Sequence, residues 1–516
     1  MKKIIYLAFG LVTVSTFSCN KYLDVKPIGQ LIPSKVENVE NLLNNAATIS
    51  SFYVDNNSGC FYAFLGDNLT ISENQALYEY KSTHPNVDHW AAFKFYYPYT
   101  NPTTPQLTWE WGIYSAASLF NIVIDEVANL KGENSDLGKV IVAQAKAGRA
   151  WSYLVGALGY GPMYDPLGKN DQKVLPYRTT GSPVIPNPPL STTGEIMDLA
   201  EKDLLDALAA TPNLVANPAR ASKSAVNGLL AQLYMFKRDW TKMSKYANDA
   251  WAQAIATKGT ADNLIYNLNK FSYEVEPALI VPEGTDVETE LELVGEDNLL
   301  KQTNNREQLF YRSTPYSYFP YPSEEFISLF DKNTDRRYIL FMLKTLGYSV
   351  VEGNVRHDDG VRLKYYRDEK MVASQGMTYP ELLLIKAEAN ARLNQLGQAL
   401  IDLNLLRKYR YSGANTDLPN GGALGQDQLI EEILKERRRE MQLGTYQRTF
   451  DIKRLALDKG KPWSKSQIIH TIGNKSYKAD VISKFFMLEI NNPTILANPA
   501  WNLQLNNDPY LPGGLN

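Results

Sequence analysis

Apolar residues recur at three- and four-residue intervals through most of the 516-residue chain, and long strand-like alternation is largely absent. This spacing places apolar side chains on one face of a helix. Short strands are predicted only around Val350-Val351 and Val361–Leu363. The pattern predicts eight helices, over Trp109–Leu130, Val140–Leu158, Thr193–Ala210, Ser222–Phe236, Trp240–Ile255, Tyr379–Leu393, Leu396–Tyr409 and Gln426–Leu443.

Two of these helical pairs resemble each other. In both, a helix carrying a small residue, Ala231 or Ala387, is followed by a short polar turn and a second helix. Small residues allow two helices to approach closely, as in tetratricopeptide-type hairpins. We therefore predict a mainly α fold with a tetratricopeptide-like helical hairpin scaffold over about 109–160, 193–256 and 378–445, and loop-rich insertions over 58–107 and 258–372 that form a ligand-binding half.

The N-terminus has the pattern of an export signal. Lys2 and Lys3 precede an apolar run from Ile4 to Val14, and small residues lead to Cys19. The run is too short to span a bilayer, and a cysteine at that position is typical of a bacterial lipoprotein signal. The pattern predicts a signal peptide over 1–18, lipid attachment at Cys19 and one mature domain over 19–516; a secretory signal with a chance cysteine is the alternative.

The overall charge argues against nucleic acid as a partner. Formal net charge is −3, and basic residues are scattered along the chain. A nucleic-acid-binding protein usually concentrates them on one face. The densest charge run, Lys435–Glu440, follows Glu431 at helical spacing, and this pattern predicts a solvated helix face.

Recognisable catalytic and metal-binding patterns are missing from the sequence. The four histidines form no zinc motif, and no nucleophile elbow or phosphate-binding loop is present. Asp335 and the Asp358-Asp359 pair are candidates for a catalytic carboxylate pair only by residue type, and adjacent aspartates are common in turns. We therefore expect no metal and no cofactor, while a catalytic carboxylate pair from distant segments stays an open alternative.

Aromatic residues are the strongest indication of a ligand site. The chain has 32 tyrosines, and aromatic residues crowd two irregular segments that contain proline. Such rings either pack loops onto helices or form platforms on which sugar faces stack. The stacking hypothesis assigns a ligand platform to Trp90, Tyr96, Tyr99, Tyr316, Tyr318 and Tyr321, with Asp67 as a candidate for hydroxyl recognition.

A series of short motifs runs in order along most of the chain. They are Cys19…Tyr22-Leu23-Asp24, Trp111…Tyr114…Asn121…Ile124, Arg149-Ala150…Tyr160-Gly161-Pro162, Asp203-Leu204, Arg220…Lys223, Asp335-Arg336-Arg337, Glu381…Leu383-Leu384…Ala387-Glu388-Ala389…Asn404…Arg407 and Glu436–Glu440 leading to Asp451-Ile452-Lys453-Arg454. In these motifs and their order the chain resembles the SusD/RagB family of nutrient-binding lipoproteins. It departs from the family pattern at Leu443-Gly444, where extra residues precede Arg448, and around Asn491 to Ile495.

The resemblance implies a helical scaffold, no catalysis, and an outer-membrane lipoprotein facing the cell exterior. It implies capture of oligosaccharides and their delivery to a SusC-type TonB-dependent transporter. Family ligand sites lie in loops outside these motifs, so no binding residue is transferred by motif. Three alternatives stay open: a RagB-like peptide-binding protein, a lipid-anchored glycoside hydrolase, and a protein whose aromatic loops contact only the partner.

Overall fold

The computed structural model describes residues 33–45, 49, 61–80, 86–106, 108–274, 293–295, 305–313, 320–365, 374–441 and 443–510. The predicted signal peptide, Cys19, Tyr316 and Tyr318 lie outside these residues.

Helices dominate the described part of the chain, and all eight predicted helices are present. The first predicted helix, Trp109–Leu130, begins as a π-helical segment, Thr108–Ile113. The α-helices are α1 Val36–Glu40, α2 Asn86–Phe93, α3 Tyr114–Asn129, α4 Asp136–Tyr160, α5 Thr193–Leu208, α6 Lys223–Lys237, α7 Trp240–Lys258, α8 Glu324–Ile327, α9 Arg336–Phe341, α10 Tyr379–Arg392, α11 Leu396–Arg410, α12 Gln426–Glu440, α13 Gln447–Leu455 and α14 Asn492–Ala497.

Side-chain caps begin several of the long helices. The Ser135 hydroxyl accepts a hydrogen bond from the Gly138 amide at the start of α4, and Thr192 and Glu195 form a reciprocal capping box at the start of α5. Ser222 and Thr378 cap α6 and α10 in the same way. These caps satisfy amides that have no partner inside the helix.

The long helices pack against their neighbours in sequence. Extensive contacts join α3 to α4, α4 to α5, α6 to α7 and α10 to α11, and α10 also packs against α7 and α12. Gly148 on α4 lies against the Phe120 ring on α3, where a β-carbon would overlap the ring. The mainly helical fold is confirmed, and its tetratricopeptide-like character stays a prediction.

The strands form two-stranded antiparallel sheets outside the helical core. Both predicted strand regions are present, within β9 and β11. The hairpin Gln467–Ile472 with Lys475–Asp480 was not predicted. The strands are β1 Leu69–Thr70, β2 Lys173–Pro176, β3 Leu190–Thr192, β4 Ser272–Tyr273, β5 Leu293–Val294, β6 Gln308–Phe310, β7 Tyr321–Pro322, β8 Met342–Leu346, β9 Ser349–Glu352, β10 Val355–Asp358, β11 Val361–Tyr365, β12 Met377–Thr378, β13 Gln467–Ile472 and β14 Lys475–Asp480.

The charge run at the end of α12 is buried, so the prediction of a solvated face was wrong for most of it. Glu436, Arg437, Arg438 and Arg439 are all buried, and only Lys435 pairs at the surface, with Glu431 and Glu432. Each buried guanidinium bonds groups from distant segments. The sequence pattern on one helix could not reveal these partners, because they come from elsewhere in the chain.

Most of these partners belong to the motifs that carry the family resemblance. Arg437 donates to Asp451 at 2.9 Å and to Glu381 at 3.0 Å. Arg454 donates to both carboxylate oxygens of Glu388, at 2.7 and 2.9 Å. Among the earlier helices, Arg149 on α4 donates to Asp203 on α5 and to Asn121 on α3. The motifs therefore form a buried ion-pair network that ties the helices together.

Candidate functional site

A cleft of about 880 Å³ opens between three β-segments and residues 71–74, which directly precede the π-helical segment Gln75–Glu79. One wall is formed by β1 paired with β7, so that Leu69 faces Pro322 and Thr70 faces Tyr321. The second wall is the double hairpin, in which β8 pairs with β11 and β9 with β10. The hairpin of β13 and β14 closes the third side. The cleft therefore lies within the part of the chain predicted to be loop-rich, together with one C-terminal hairpin.

Asp359 is held in the cleft by donors from two other segments. Asn74 donates its side-chain amide to Asp359 Oδ1 at 2.8 Å, and the Tyr321 hydroxyl donates to Oδ2 at 2.7 Å. The Tyr348 amide in turn donates to the Tyr321 hydroxyl at 2.7 Å. These bonds fix the carboxylate while its remaining lone pairs stay available. Asp359 is thus an oriented acceptor that can receive hydrogen bonds from a bound polyol.

A second contact joins the double hairpin to the π-helical segment. The Tyr78 hydroxyl lies 3.0 Å from Nε2 of His357 on β10, and the two ring centroids are 4.6 Å apart. Together with the Asn74–Asp359 bond, this contact holds the hairpin beside the cleft.

Asp67 lines the cleft, but its oxygens are occupied by protein donors. Arg448 donates to both of them, at 2.7 and 2.9 Å, and Lys465 donates to Oδ2 at 2.6 Å. Arg438 lies 3.2 Å from Oδ1. Burial alone would raise the pKa of Asp67, but Arg448 and Arg438 hold it well below its usual range. The geometry makes Asp67 a structural link, while its predicted role in hydroxyl recognition stays untested.

His470 connects the base of the cleft to the neighbouring segments. Its Nδ1 and Nε2 each lie 2.7 Å from a carbonyl oxygen, that of Phe93 and that of Gly66. The ring stacks between Phe93 and Phe95, with centroid distances of 4.2 and 4.7 Å. Burial lowers the pKa of His470. The buried imidazole therefore connects β13 to the segments that contain Asp67 and Phe93.

The predicted aromatic residues that the structure describes, Trp90, Tyr96, Tyr99 and Tyr321, do not form one open platform. Trp90 is 3% exposed and contacts Lys94 and Tyr477, and Tyr99 is 3% exposed and donates to the Phe485 carbonyl. These two rings pack inside the protein, so they do not form part of an exposed platform, and their predicted role in ligand binding stays a prediction. Tyr96 is half-buried, and Tyr321 lines the cleft with its ring mostly covered.

Asp335 and Asp358, two of the carboxylates considered for catalysis, differ in burial and are each paired with an arginine. Asp335 is fully buried, caps α9 and pairs with Arg337 at 2.8 Å, whereas Asp358 is exposed and pairs with Arg356. Within the described residues, no cluster of histidine, cysteine or acidic side chains could hold a metal ion. None of the helices in the described part of the chain is long and apolar enough to cross a membrane.

Sequence reasoning missed the role of Asn74 and Tyr348, and considered Asp359 only for catalysis. Asn74 and Asp359 are separated by 285 residues, and no spacing rule brings them together. The available signal was weak: Asp358-Asp359-Gly360 marks a turn between strands, where polar residues are often exposed.

Two family models match different parts of the chain. The model for the SusD family matches residues 358–499, and the model described as starch-binding associating with outer membrane matches residues 21–235. No curated protein sequence gives a significant match.

Solved structures with the same fold cover nearly all of the chain. A SusD superfamily protein from Bacteroides thetaiotaomicron VPI-5482 is 16% identical, with a TM-score of 0.61 over 90% of this chain and 98% of that one. A SusD-like carbohydrate binding protein from Bacteroides vulgatus ATCC 8482 is 19% identical, with a TM-score of 0.59 over 90% and 97%. A SusD superfamily protein from Bacteroides fragilis is 19% identical, with a TM-score of 0.59 over 91% and 99%. The chain is SusD-like, which confirms the resemblance predicted from its motifs.

Proposed function

We propose that this SusD-like chain is a non-enzymatic surface protein that binds an oligosaccharide in the cleft around Asp359 and passes it to a SusC-type TonB-dependent transporter. The main observation that supports this proposal is the cleft, which has a volume of about 880 Å³ and contains a carboxylate, Asp359, held in place by Tyr321 and Asn74. Clefts of this size and polarity suit ligands that present many hydroxyl groups.

The matches support carbohydrate as the ligand class. One matching family model is described as starch-binding, and one structural relative is described as carbohydrate binding. The buried ion pairs of Asp335 and the pairing of Asp358 with Arg356 leave neither carboxylate placed as a free acid or base. This arrangement favours capture without cleavage.

The cellular setting of the proposal rests on the N-terminal sequence and on the second family model. Lipid attachment at Cys19 would hold the mature chain at a membrane, and the model's description names the outer membrane. We propose a lipid-anchored protein that faces the cell exterior, where released oligosaccharides are available.

The test is calorimetric titration of the mature body, beginning just after Cys19, with plant, microbial and host glycans and with a peptide mixture. Each mixture is analysed for products afterwards. Binding of one glycan class without cleavage is the expected result. Binding of peptides alone would favour the RagB-like alternative, and cleavage would favour the glycoside hydrolase.

Two variants test whether the cleft is the site. Tyr321→Phe removes the hydroxyl that orients Asp359, and Asp359→Asn removes the charge; each should weaken glycan binding about tenfold, equivalent to about 1.4 kcal/mol. Glu352→Gln is the matched control, because Glu352 is exposed on β9 and does not line the cleft. Unchanged affinity in both cleft variants would place the site elsewhere.

A further inference from the structure

The walls of the cleft carry many more anionic than cationic groups. Among the described residues that line it, the only arginine or lysine is Arg362, whose guanidinium lies over the Tyr321 ring at 5.8 Å. The acidic lining residues are Asp67, Glu73, Glu324, Glu325, Asp358 and Asp359.

Half of these carboxylates are neutralised by cations that stand behind or beside the wall. Asp67 and Glu325 share Arg438 and Lys465, Asp67 also pairs with Arg448, and Asp358 pairs with Arg356. The Arg438 and Arg448 side chains are only 8% and 12% exposed, and their donors point to protein acceptors. These two arginines stabilise the wall and are largely hidden from a ligand in the cleft, whereas Lys465 is 34% exposed but does not line the cleft.

The other carboxylates face the cleft without a cationic partner. Glu73 and Glu324 are exposed, Asp359 is half-buried, and none of the three forms an ion pair within the described residues. Asp359 receives hydrogen bonds only from the neutral groups of Asn74 and Tyr321. These three carboxylates therefore present negatively charged hydrogen-bond acceptors to a ligand in the cleft.

Carboxylates discriminate between ligands by the charge of the ligand and by the number of hydrogen-bond donors that it offers. Ionised, they accept hydrogen bonds from hydroxyl or amino groups and donate none. A sulfate or a uronate offers acceptors in return, and two like charges 4 Å apart repel by about 4 kcal/mol at an effective dielectric constant of 20, less when salt screens them.

We propose that the cleft selects oligosaccharides that lack acidic groups, and that Glu73, Glu324 and Asp359 exclude uronate-containing and sulfated glycans. This inference rests on the proposed function, because it assumes that the cleft binds a glycan. It adds the charge class of the ligand and names the residues that determine it.

The test is a glycan array in which neutral glycans are printed beside carboxylated or sulfated forms of the same backbone, such as dextran beside dextran sulfate and methyl-esterified beside de-esterified homogalacturonan. At 20 mM salt, the mature protein should bind the neutral member of a pair at least about tenfold more tightly than the acidic member. This ratio of affinities should be smaller in 500 mM salt, which screens the repulsion. The double variant Glu73→Gln/Glu324→Gln should reduce the ratio by about threefold or more, whereas Glu352→Gln should leave it unchanged.

The possible failures are distinguishable. If a neutral glycan binds but its acidic form binds equally well or better, the charge selection is wrong and glycan capture stands. The proposed charge selection is also wrong if the double variant leaves the ratio of neutral to acidic glycan affinity unchanged. If no glycan of either kind binds, the proposed function fails and this inference fails with it. The melting temperatures of both variants should match the parent, because Glu73 and Glu324 are exposed.

Discussion

The helical scaffold and the cleft both use arginine, aspartate and glutamate, but in different ways. In the scaffold, Arg437 and Arg454 are buried among carboxylates from α10 and α13, and both guanidiniums donate to acceptors at 2.6–3.0 Å. In the cleft, Glu73 and Glu324 face solvent and lack a cationic partner among the described residues.

This difference separates residues that specify the fold from residues that can recognise a ligand. Buried charges must be paired, because an unpaired one costs several kcal/mol of desolvation. Exposed carboxylates carry no such requirement and stay free to bind. The family motifs lie in the first group, which explains why they identify the fold without identifying the ligand.

The largest expected effect is on stability, from Arg437→Met. The change leaves Glu381 buried without its cation and removes one of the partners of Asp451, so the free energy of unfolding should fall by about 3 kcal/mol or more. Chemical denaturation of the mature protein measures it. Lys435→Met is the matched control two residues away on α12, where an exposed pair should contribute less than about 1 kcal/mol. Equal losses in the two variants would contradict the distinction between buried and exposed pairs.

The next effect concerns pH and Lys453 on α13. Its ammonium donates to the carbonyls of Leu158 and Gly161 at the end of α4, and burial lowers its pKa to about 7. Between pH 7 and the ordinary lysine pKa of about 10.5, the unfolded chain binds a proton that the folded chain lacks, so stability rises with pH. The expected contribution is about 2 kcal/mol between pH 7 and 9.

Denaturation of Lys453→Met at pH 7, 8 and 9 measures that contribution. The variant should lose this part of the pH dependence, while Lys435→Met should keep it. A parent protein whose stability does not rise between pH 7 and 9 relative to Lys453→Met would show that Lys453 is charged when buried.

A smaller effect should come from Asp67→Asn, at the boundary between the two regions. The variant keeps an oxygen acceptor but loses the charge that Arg448, Arg438 and Lys465 surround, so stability should fall by about 1.5 kcal/mol. Denaturation and glycan titration together separate the two roles of Asp67. Reduced affinity with unchanged stability would restore it as a ligand residue.

Much of the fold could be predicted from the sequence because helical periodicity is a local signal. Helices such as α6 and α10 begin and end within a few residues of the predicted bounds. The burial of Arg437 could not be predicted from its own helix, because its partners Glu381 and Asp451 lie on α10 and α13. Local charge alternation indicates a solvated face only when no distant residue supplies a partner.

The cleft was harder to predict than the scaffold. Aromatic crowding pointed to the segments around Trp90 and Tyr321, but only Tyr321 of these two residues lines the cleft, and composition does not reveal which rings are buried. Trp90 contacts Tyr477, which lies on β14, far along the chain. The acceptor at Asp359 depends on Asn74 and Tyr321, which come from distant parts of the chain. Such a site is created by the tertiary fold, so it carries no local pattern.

The smallest expected effect on stability is that of Asp359→Asn, which completes the comparison with Asp67→Asn. Asp359 is half-buried and bonded to neutral groups, and asparagine keeps an oxygen for one of the two donors. The free energy of unfolding should therefore change by only about 0.5 kcal/mol. The same chemical change at the two positions should thus affect stability at Asp67 and glycan affinity at Asp359. Thermal melting and calorimetry on both variants measure the two effects, and a loss of stability at Asp359 as large as that at Asp67 would mean that Asp359 also belongs to the structural network.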